Sequence, residues 1–129
     1  MMCIDSDCII DFLKGKREAI EIVDKHKEEL VTTEINIFEI LFGIYKNKVI
    51  NKTEEETAKS FFDSIDILSK NGWGIKAAEI FSDMMKQGNV IEQNDCLIAS
   101  IMLVNGCNKI ITQNTKHFSK IKEIDVTSY

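Results

Sequence analysis

Proline is absent from the 129 residues, histidine occurs twice, tryptophan once, and none of the four cysteines belongs to a CxxC pair. Without proline, helix and strand limits have to be read from glycine, polar caps and hydrophobic periodicity. Without clustered Cys and His ligands, a structural zinc site is not expected. Cys3, Cys8, Cys96 and Cys107 read instead as small buried hydrophobes, and a disulfide framework does not suit an intracellular chain of this size. A long apolar run is missing as well. The longest nearly apolar stretch, Cys96 to Val104, is broken by Ser100 and falls well short of the roughly 20 residues that cross a bilayer. The opening MMCIDSD carries no basic leader and does not read as a signal peptide, so the expectation is a cytoplasmic protein with no membrane partner.

A hydrophobic fraction of 44% beside 29% charged residues supplies enough apolar material for a layered core, and the length suits one domain over residues 1–129. Acidic residues outnumber basic ones by 21 to 16, for a net charge of −5. Taken alone, that balance argues against a nucleic-acid partner. A nuclease centre, however, must concentrate carboxylates and can recruit phosphate through bound cations. Lys109, Lys116, His117, Lys120 and Lys122 make the C-terminal quarter locally basic, either as a solvated face or as a phosphate-steering surface.

The first residues, MMCI, predict a short strand, and CIIDFLKG a helix stopped by Gly15. A second helix covers Arg17 to Lys27, with Ala19, Ile20 and Val23 at helical spacing. LVTT is the next strand, and Asn36 is a candidate cap for the helix INIFEILFGIYKNKV, whose stripe is Ile37, Ile40, Leu41 and Ile44. Asn51 to Ser64 reads as another helix, with Thr53 and Glu56 resembling a capping box and Ala58, Phe61, Phe62 and Ile65 on one side. IDIL predicts a third strand, and the helix from about Trp73 to Lys86 buries Ala77, Ile80, Phe81 and Met84 before Gly88 ends it. QNDCLIASIMLVNG predicts a helix buried over most of its circumference. KIITQN reads as an apolar central strand, HFSKI as a helical turn and IDVTSY as an edge strand. Short strands alternating with longer helices point to a three-layer α/β/α sandwich around a mostly parallel sheet.

Three carboxylates stand where a surface acid is not expected. Asp5 directly follows the first strand, Glu39 lies inside an apolar helix, and Asp95 opens the most hydrophobic helix. In an open parallel sheet, residues just beyond the carboxyl ends of the strands converge on the crevice that binds ligands. Buried carboxylates without compensation are costly, so such a cluster either holds a hard cation such as Mg2+ or Mn2+ or contains a member with a raised pKa. Each acid also has a plainer role open to it. Asp5 can close an Asx turn or cap a helix, Glu39 can border an amphipathic stripe, and Asp95 can offset a helix dipole by roughly 0.3 to 1 kcal/mol.

Over nearly its whole length the chain resembles the PIN-domain family, and within it the VapC toxins of toxin–antitoxin pairs. CIDSDCIIDFLKG resembles the opening motif and puts Asp5 on its first metal-binding position, with Asp7 where relatives usually carry Asn. TTEINIFEILFGIYK resembles the second motif: Glu39 and Gly43 match, Thr33 matches the hydroxyl residue ending the strand, and Asn36 replaces a frequent Thr. NDCLIAS supplies Asp95, Ile98 and Ala99 of the third, with Glu92 in place of a frequent glycine. TQNTKHF resembles the fourth through Thr112, Asn114 and Phe118, with Asn114 where many relatives carry an acid.

The resemblance implies a divalent-metal-dependent endoribonuclease. Asp5 and Asp95 would be the principal ligands of Mg2+ or Mn2+, Glu39 would bind directly or through water, and Asn114 would complete a second site. Asp7, Thr33 and Thr112 are secondary candidates for orienting the ligands, whereas Asp11, one turn beyond Asp7, could look toward solvent instead and is not counted with them. Implied partners are RNA, in particular transfer RNA or a ribosomal RNA loop, a cognate antitoxin and a second copy of the chain. Apolar faces near Phe42, Tyr45, Phe61 and Phe62 are candidates for protein contacts or for core. Trp73 and Tyr129 could stack on bases or pack internally. The competing readings are a housekeeping RNA-processing nuclease of the same family, a catalytically weak protein- or RNA-binding module, and a receiver- or phosphatase-like α/β domain, which the later motifs do not support.

Overall fold

The strand segments alternate in side-chain direction, so a strand buried on both faces feeds two cores. Cys3 contributes to one and its neighbours Met2 and Ile4 to the other. In the computed structural model, which describes residues 1–129, the elements run β1 (Met2–Ile4), α1 (Ser6–Leu13), α2 (Arg17–His26), β2 (Leu30–Thr32), α3 (Glu34–Tyr45) and α4 (Lys52–Asp63). There follow β3 (Asp66–Ile67), α5 (Trp73–Lys86), α6 (Gln93–Val104), β4 (Lys109–Ile111), α7 (Thr115–Phe118) and β5 (Asp125–Thr127). The five strands lie in the order β3-β2-β1-β4-β5, and every pairing is parallel. Register brings Cys3 opposite both Val31 and Ile110, and Ile4 opposite Ile111.

Helices cover both faces. Residues of α1 to α4, among them Ile9, Val23, Ile40 and Phe62, pack on Met2, Ile4, Leu30 and Ile111. Residues of α5, α6 and α7, among them Met84, Ile98, Met102 and Phe118, pack on Cys3, Val31 and Ile110. The expected α/β/α sandwich is therefore present, with a sheet that is wholly parallel. All four cysteines are buried and unpaired, as apolar core residues. Trp73 is half-buried against the second core rather than free to stack on a base. No helix is long and apolar enough to cross a membrane.

Local chemistry explains the boundaries. Gly15 follows α1 at φ +79 and Gly88 follows α5 at φ +67, in the left-handed region that glycine occupies without steric cost. Two caps differ from expectation. Thr33, in extended backbone, caps α3 by accepting a hydrogen bond from the Asn36 amide at 3.2 Å, so Asn36 lies one turn inside the helix with its side chain released for other work. Asn51 caps α4 by accepting from the Glu54 amide at 3.1 Å, and Thr53 and Glu56 lie within the helix, where they form no capping box. The third strand is reduced to Asp66–Ile67. Ile80 and Phe81 are half-buried rather than enclosed.

Candidate active site

The chain lays β1, β2 and β3 in one direction across the sheet, then returns to place β4 and β5 on the other side of β1. That reversal opens a crevice beyond the carboxyl ends of β1 and β4, where α/β sheets bind ligands. Because the strands are parallel, Asp5 after β1, Thr33 after β2 and Thr112 after β4 emerge at this same edge. All three are buried.

Asp5 caps α1 and lies at its centre, 5% exposed. Its Oδ1 accepts from the Ser6 amide at 2.8 Å and from Asn36 Nδ2 at 3.0 Å, and its Oδ2 from the Thr112 hydroxyl at 2.7 Å. The Asn36 side chain is held in turn by Thr33, whose hydroxyl donates to Asn36 Oδ1 at 2.6 Å. Asp7, one residue into α1, accepts from the Gln113 amide at 2.9 Å and faces the Thr112 hydroxyl at 3.2 Å. Glu39, on α3, accepts from the Ser6 hydroxyl at 2.7 Å and from Asn94 Nδ2 at 3.4 Å. Asp95, in the first turn of α6, is 6% exposed and accepts from Asn114 Nδ2 at 2.9 Å, with His117 Nδ1 at 2.6 Å from the same Oδ2. The fully buried ring of Phe118 anchors α7 in the core and so fixes the positions of Asn114 and His117.

All seven residues expected at the site are therefore joined by hydrogen bonds at one edge of the sheet: Asp5, Asp7, Thr33, Glu39, Asp95, Thr112 and Asn114. Asn114 meets Asp95 through its amide nitrogen, as a donor. Asn36, Ser6, Asn94 and His117 belong to the same network and were not expected there. Their signals are weak in the sequence: Asn36 and Glu39 are two polar residues three apart on an apolar helix, and Asn114 and His117 repeat that spacing. Asp11, which the sequence left free to look toward solvent, is only 9% exposed. It accepts from the Tyr129 hydroxyl at 2.8 Å and pairs with Lys16 at 3.0 Å, because α1 turns it under the C-terminal strand. Tyr129 thus uses its hydroxyl internally.

Electrostatics set Asp5 apart. Burial, then the neighbouring Asp7 carboxylate, push its pKa up to about 7 against the lowering effect of the Thr112 and Ser6 hydrogen bonds. Burial also raises Asp95, opposed by His117. No Lys or Arg forms a salt bridge with Asp5, Asp7, Glu39 or Asp95. By donor chemistry, a group of carboxylates lacking a cationic partner fits a hard divalent ion. As the side chains stand, no three Asp, Glu, His or Cys residues are arranged to hold one.

Two cavities flank the region. One of 220 Å³ begins at Glu39 and runs between α1 and α3 past Ile10, Leu13, Gly43 and Asn47. The other, of 260 Å³ between α5 and α6, is lined by residues such as Trp73, Ala77, Phe81 and Cys96, with no carboxylate or base. It has no part in the polar network.

Solved structures similar to the chain include DNA-bound VapBC assemblies and a toxin–antitoxin complex. VapBC2 of Rickettsia felis, bound to a DNA fragment from its promoter, superposes with a TM-score of 0.87 at 17% identity, covering 99% of this chain and 98% of that one. DNA-bound VapBC of Salmonella typhimurium gives a TM-score of 0.86 at 17% identity, over 98% and 96% of the two chains. A toxin–antitoxin complex from Klebsiella pneumoniae gives 0.70 at 21% identity, over 97% and 96%. No protein of curated function matches the sequence. At these identities the structures speak for the fold. The family is carried by the sequence itself, since the PIN domain pattern matches residues 2–124, and the chain belongs to the PIN domain family.

Proposed function

We propose that the chain is a divalent-metal-dependent endoribonuclease, the toxin of a toxin–antitoxin pair, acting in the cytoplasm as one domain over residues 1–129. The observation that carries this reading is the crowding of Asp5 by Asp7 and Asp95 at the crevice, with no Lys or Arg to balance them. Such a site attracts a cation, and a phosphodiester is the substrate that a cation brings to an acidic crevice. Asp5, Asp95 and Glu39 are the residues to hold Mg2+ or Mn2+, with Asp7 beside them. When bound, the ion supplies a Lewis acid for phosphate and lowers the pKa of its water.

The chain's own residues then have defined tasks. Thr112 and Asn36 clamp both oxygens of Asp5, which fixes the direction in which its carboxylate is presented. Ser6 ties Glu39 to the α1 end of the site. Asn114 and Thr33 act through Asp95 and Asn36 respectively. Cation binding has to favour the ionised form of Asp5 over the protonated one. Metal binding therefore releases a proton below about pH 7 and tightens as pH rises through that value.

A narrow acidic crevice suits splayed single-stranded nucleotides, as in a transfer RNA or ribosomal RNA loop, better than a continuous duplex. For protein partners, Phe38 and Phe42 stack on the outer face of α3 at 57% and 55% exposure, with ring centroids 5.7 Å apart. Such a patch suits a protein contact, either a second copy of the chain or an antitoxin. Phe61 and Phe62, by contrast, are buried in the core. A binding module without catalysis is the second reading, favoured by the absence of three converged ligands in the side chains as they stand.

The test is cleavage of total cellular RNA by purified protein with Mn2+, with Mg2+ and with chelator. The expected outcome is metal-dependent cutting that falls at least a thousand-fold in Asp5→Asn and Asp95→Asn. Undiminished cutting in both variants sinks the assignment. No cutting by metal-loaded, antitoxin-free protein moves the chain to the binding-module reading. Cut sites confined to one RNA separate a toxin from a general processing nuclease.

A further inference from the structure

Asp95 differs from the other carboxylates of the site in how its oxygens are used. Asp5 has partners on both oxygens, from Ser6 and Asn36 on one side and Thr112 on the other. Asp7 accepts from the Cys8 amide on Oδ1 and from Gln113 on Oδ2. Glu39 accepts from Ser6 on Oε1 and from Asn94 on Oε2. Asp95 receives Asn114 Nδ2 and His117 Nδ1 on Oδ2 alone, and its Oδ1 has no hydrogen-bond partner. No buried side-chain oxygen or nitrogen of the protein is left unsatisfied, so the unpartnered Oδ1 is reached by solvent rather than sealed in the core.

We infer that His117 is a positioning residue for the metal centre: with Asn114 it fixes Asp95 through Oδ2 and leaves Oδ1 presented to the divalent ion. A ring nitrogen 2.6 Å from a carboxylate oxygen sits there as a donor, so Nδ1 carries the hydrogen and Nε2 is the nitrogen left outside the pair. With Nδ1–H given to Asp95, Asn114 Nδ2 also donates to Asp95, and its 2.9 Å approach to Nδ1 is a side-by-side contact of two donors. Two donors converging on one oxygen hold a carboxylate in one rotamer. A carboxylate so oriented binds a metal with less loss of side-chain freedom, and the hydrogen-bonded partners of metal ligands typically carry a ten- to hundred-fold share of metal affinity. The histidine ring owes its own position to the adjacent Phe118, buried beneath α6, so the device is built on a rigid element. The inference rests on the proposed metal site, with Asp95 as one of its ligands.

The test is Mn2+ binding, followed by the loss of the free-ion electron paramagnetic resonance signal at fixed pH, in the wild type, His117→Ala, His117→Gln and Asp95→Asn. His117 is 28% exposed at its side chain, and thermal melts in chelator verify that each variant is folded. The expected result is a ten- to hundred-fold weaker Mn2+ affinity in His117→Ala, a loss at least as large in Asp95→Asn, and substantial recovery in His117→Gln, whose amide can donate to Oδ2. Unchanged affinity in folded His117→Ala overturns the inference. So does tighter binding, which would make the histidine a competitor for Asp95. A wild type that binds no Mn2+ overturns it as well. RNA cleavage measured on the same samples keeps the two readings apart. Mn2+ binding that depends on His117 without any RNA cleavage defeats the nuclease and leaves this inference standing, whereas metal-dependent cleavage with unchanged Mn2+ affinity in His117→Ala does the reverse.

Discussion

The two ends of α1 each bury an aspartate, and the two acids are driven in opposite directions. Asp11, near the C-terminal end, is 9% exposed, yet its pKa lies below the usual carboxylate value, first because the Tyr129 hydroxyl donates to it and then because Lys16 pairs with it. Asp5, at the N-terminal end, is 5% exposed and is pushed up to about 7, because burial and Asp7 outweigh the hydrogen bonds from Thr112 and Ser6. Hydrogen bonds alone therefore do not separate the two, since both acids have them. The first difference is burial, which outweighs every other effect at Asp5 and is outweighed by the Tyr129 and Lys16 hydrogen bonds at Asp11; nearby charge adds to it, a lysine at one end and another carboxylate at the other. Asp11 is balanced by a cation within the chain, whereas Asp5 has no Lys or Arg salt-bridge partner, the environment that the proposed metal site would require.

The widest consequence of that contrast is in the pH dependence of stability. Asp5 titrates near 3.8 when unfolded and about 7 when folded, so between these values the native state holds a proton that the unfolded chain has released. Stability then falls as pH rises from about 4 to about 7 and levels off above. At about 1.4 kcal/mol per pKa unit, the loss is on the order of 4 kcal/mol. Asp5→Asn, which cannot ionise, is expected to flatten most of this slope and to melt higher than wild type at pH 8 in chelator. A steeper slope, or a lower melting temperature at pH 8, breaks the comparison.

At the other end of the helix the sign reverses. The lowered pKa of Asp11 contributes stability that is complete above its unfolded value and disappears as pH falls through the folded one. Asp11→Ala removes the acceptor for both Tyr129 and Lys16. The expected cost is about 1 to 3 kcal/mol in denaturant unfolding at pH 7, with RNA cleavage kept within a few-fold of wild type. A loss of cleavage as large as that of Asp5→Asn would mean that the two acids belong to one site.

The smallest effect isolates the lysine. Lys16 is 58% exposed at its side chain, so Lys16→Met is expected to cost less than about 1 kcal/mol, to weaken further in high salt, and to move the Asp11 titration upward in side-chain NMR while leaving that of Asp5 in place. An equal movement of both titrations would show that the two ends are electrostatically one.

Local pattern was enough for much of this architecture. Helical spacing of Ala77 and Met84 and the stop at Gly88 place α5 closely, because both signals arise within one element. The two misjudged caps are also local, but they turn on which polar residue occupies extended backbone. Thr33 and Asn51 hold that position, and the later residues that resemble caps, Asn36 and Thr53, do not. Motif spacing named Asp5, Glu39 and Asp95, since each carboxylate breaks an apolar context that can be seen in one dimension. It could not name Asn36, Ser6, Asn94 or His117, whose partners lie on other elements, nor recognise that Asp11 is buried, since Tyr129 reaches it from 118 residues away.

By itself, then, the sequence determined the alternation of strand and helix, the burial of the cysteines and the PIN-family order of acids, because periodicity, glycine and residue type act over a few neighbouring positions. Tertiary structure alone decided which carboxylates share an environment. The reversal of strand order at β1 brings Thr112 to Asp5 across a separation of 107 residues and seats His117 against Asp95. Burial and charge depend on distance in space, and so the same residue type became a strut paired with Lys16 at Asp11 and a carboxyl group crowded by Asp7, with its pKa raised to about 7, at Asp5.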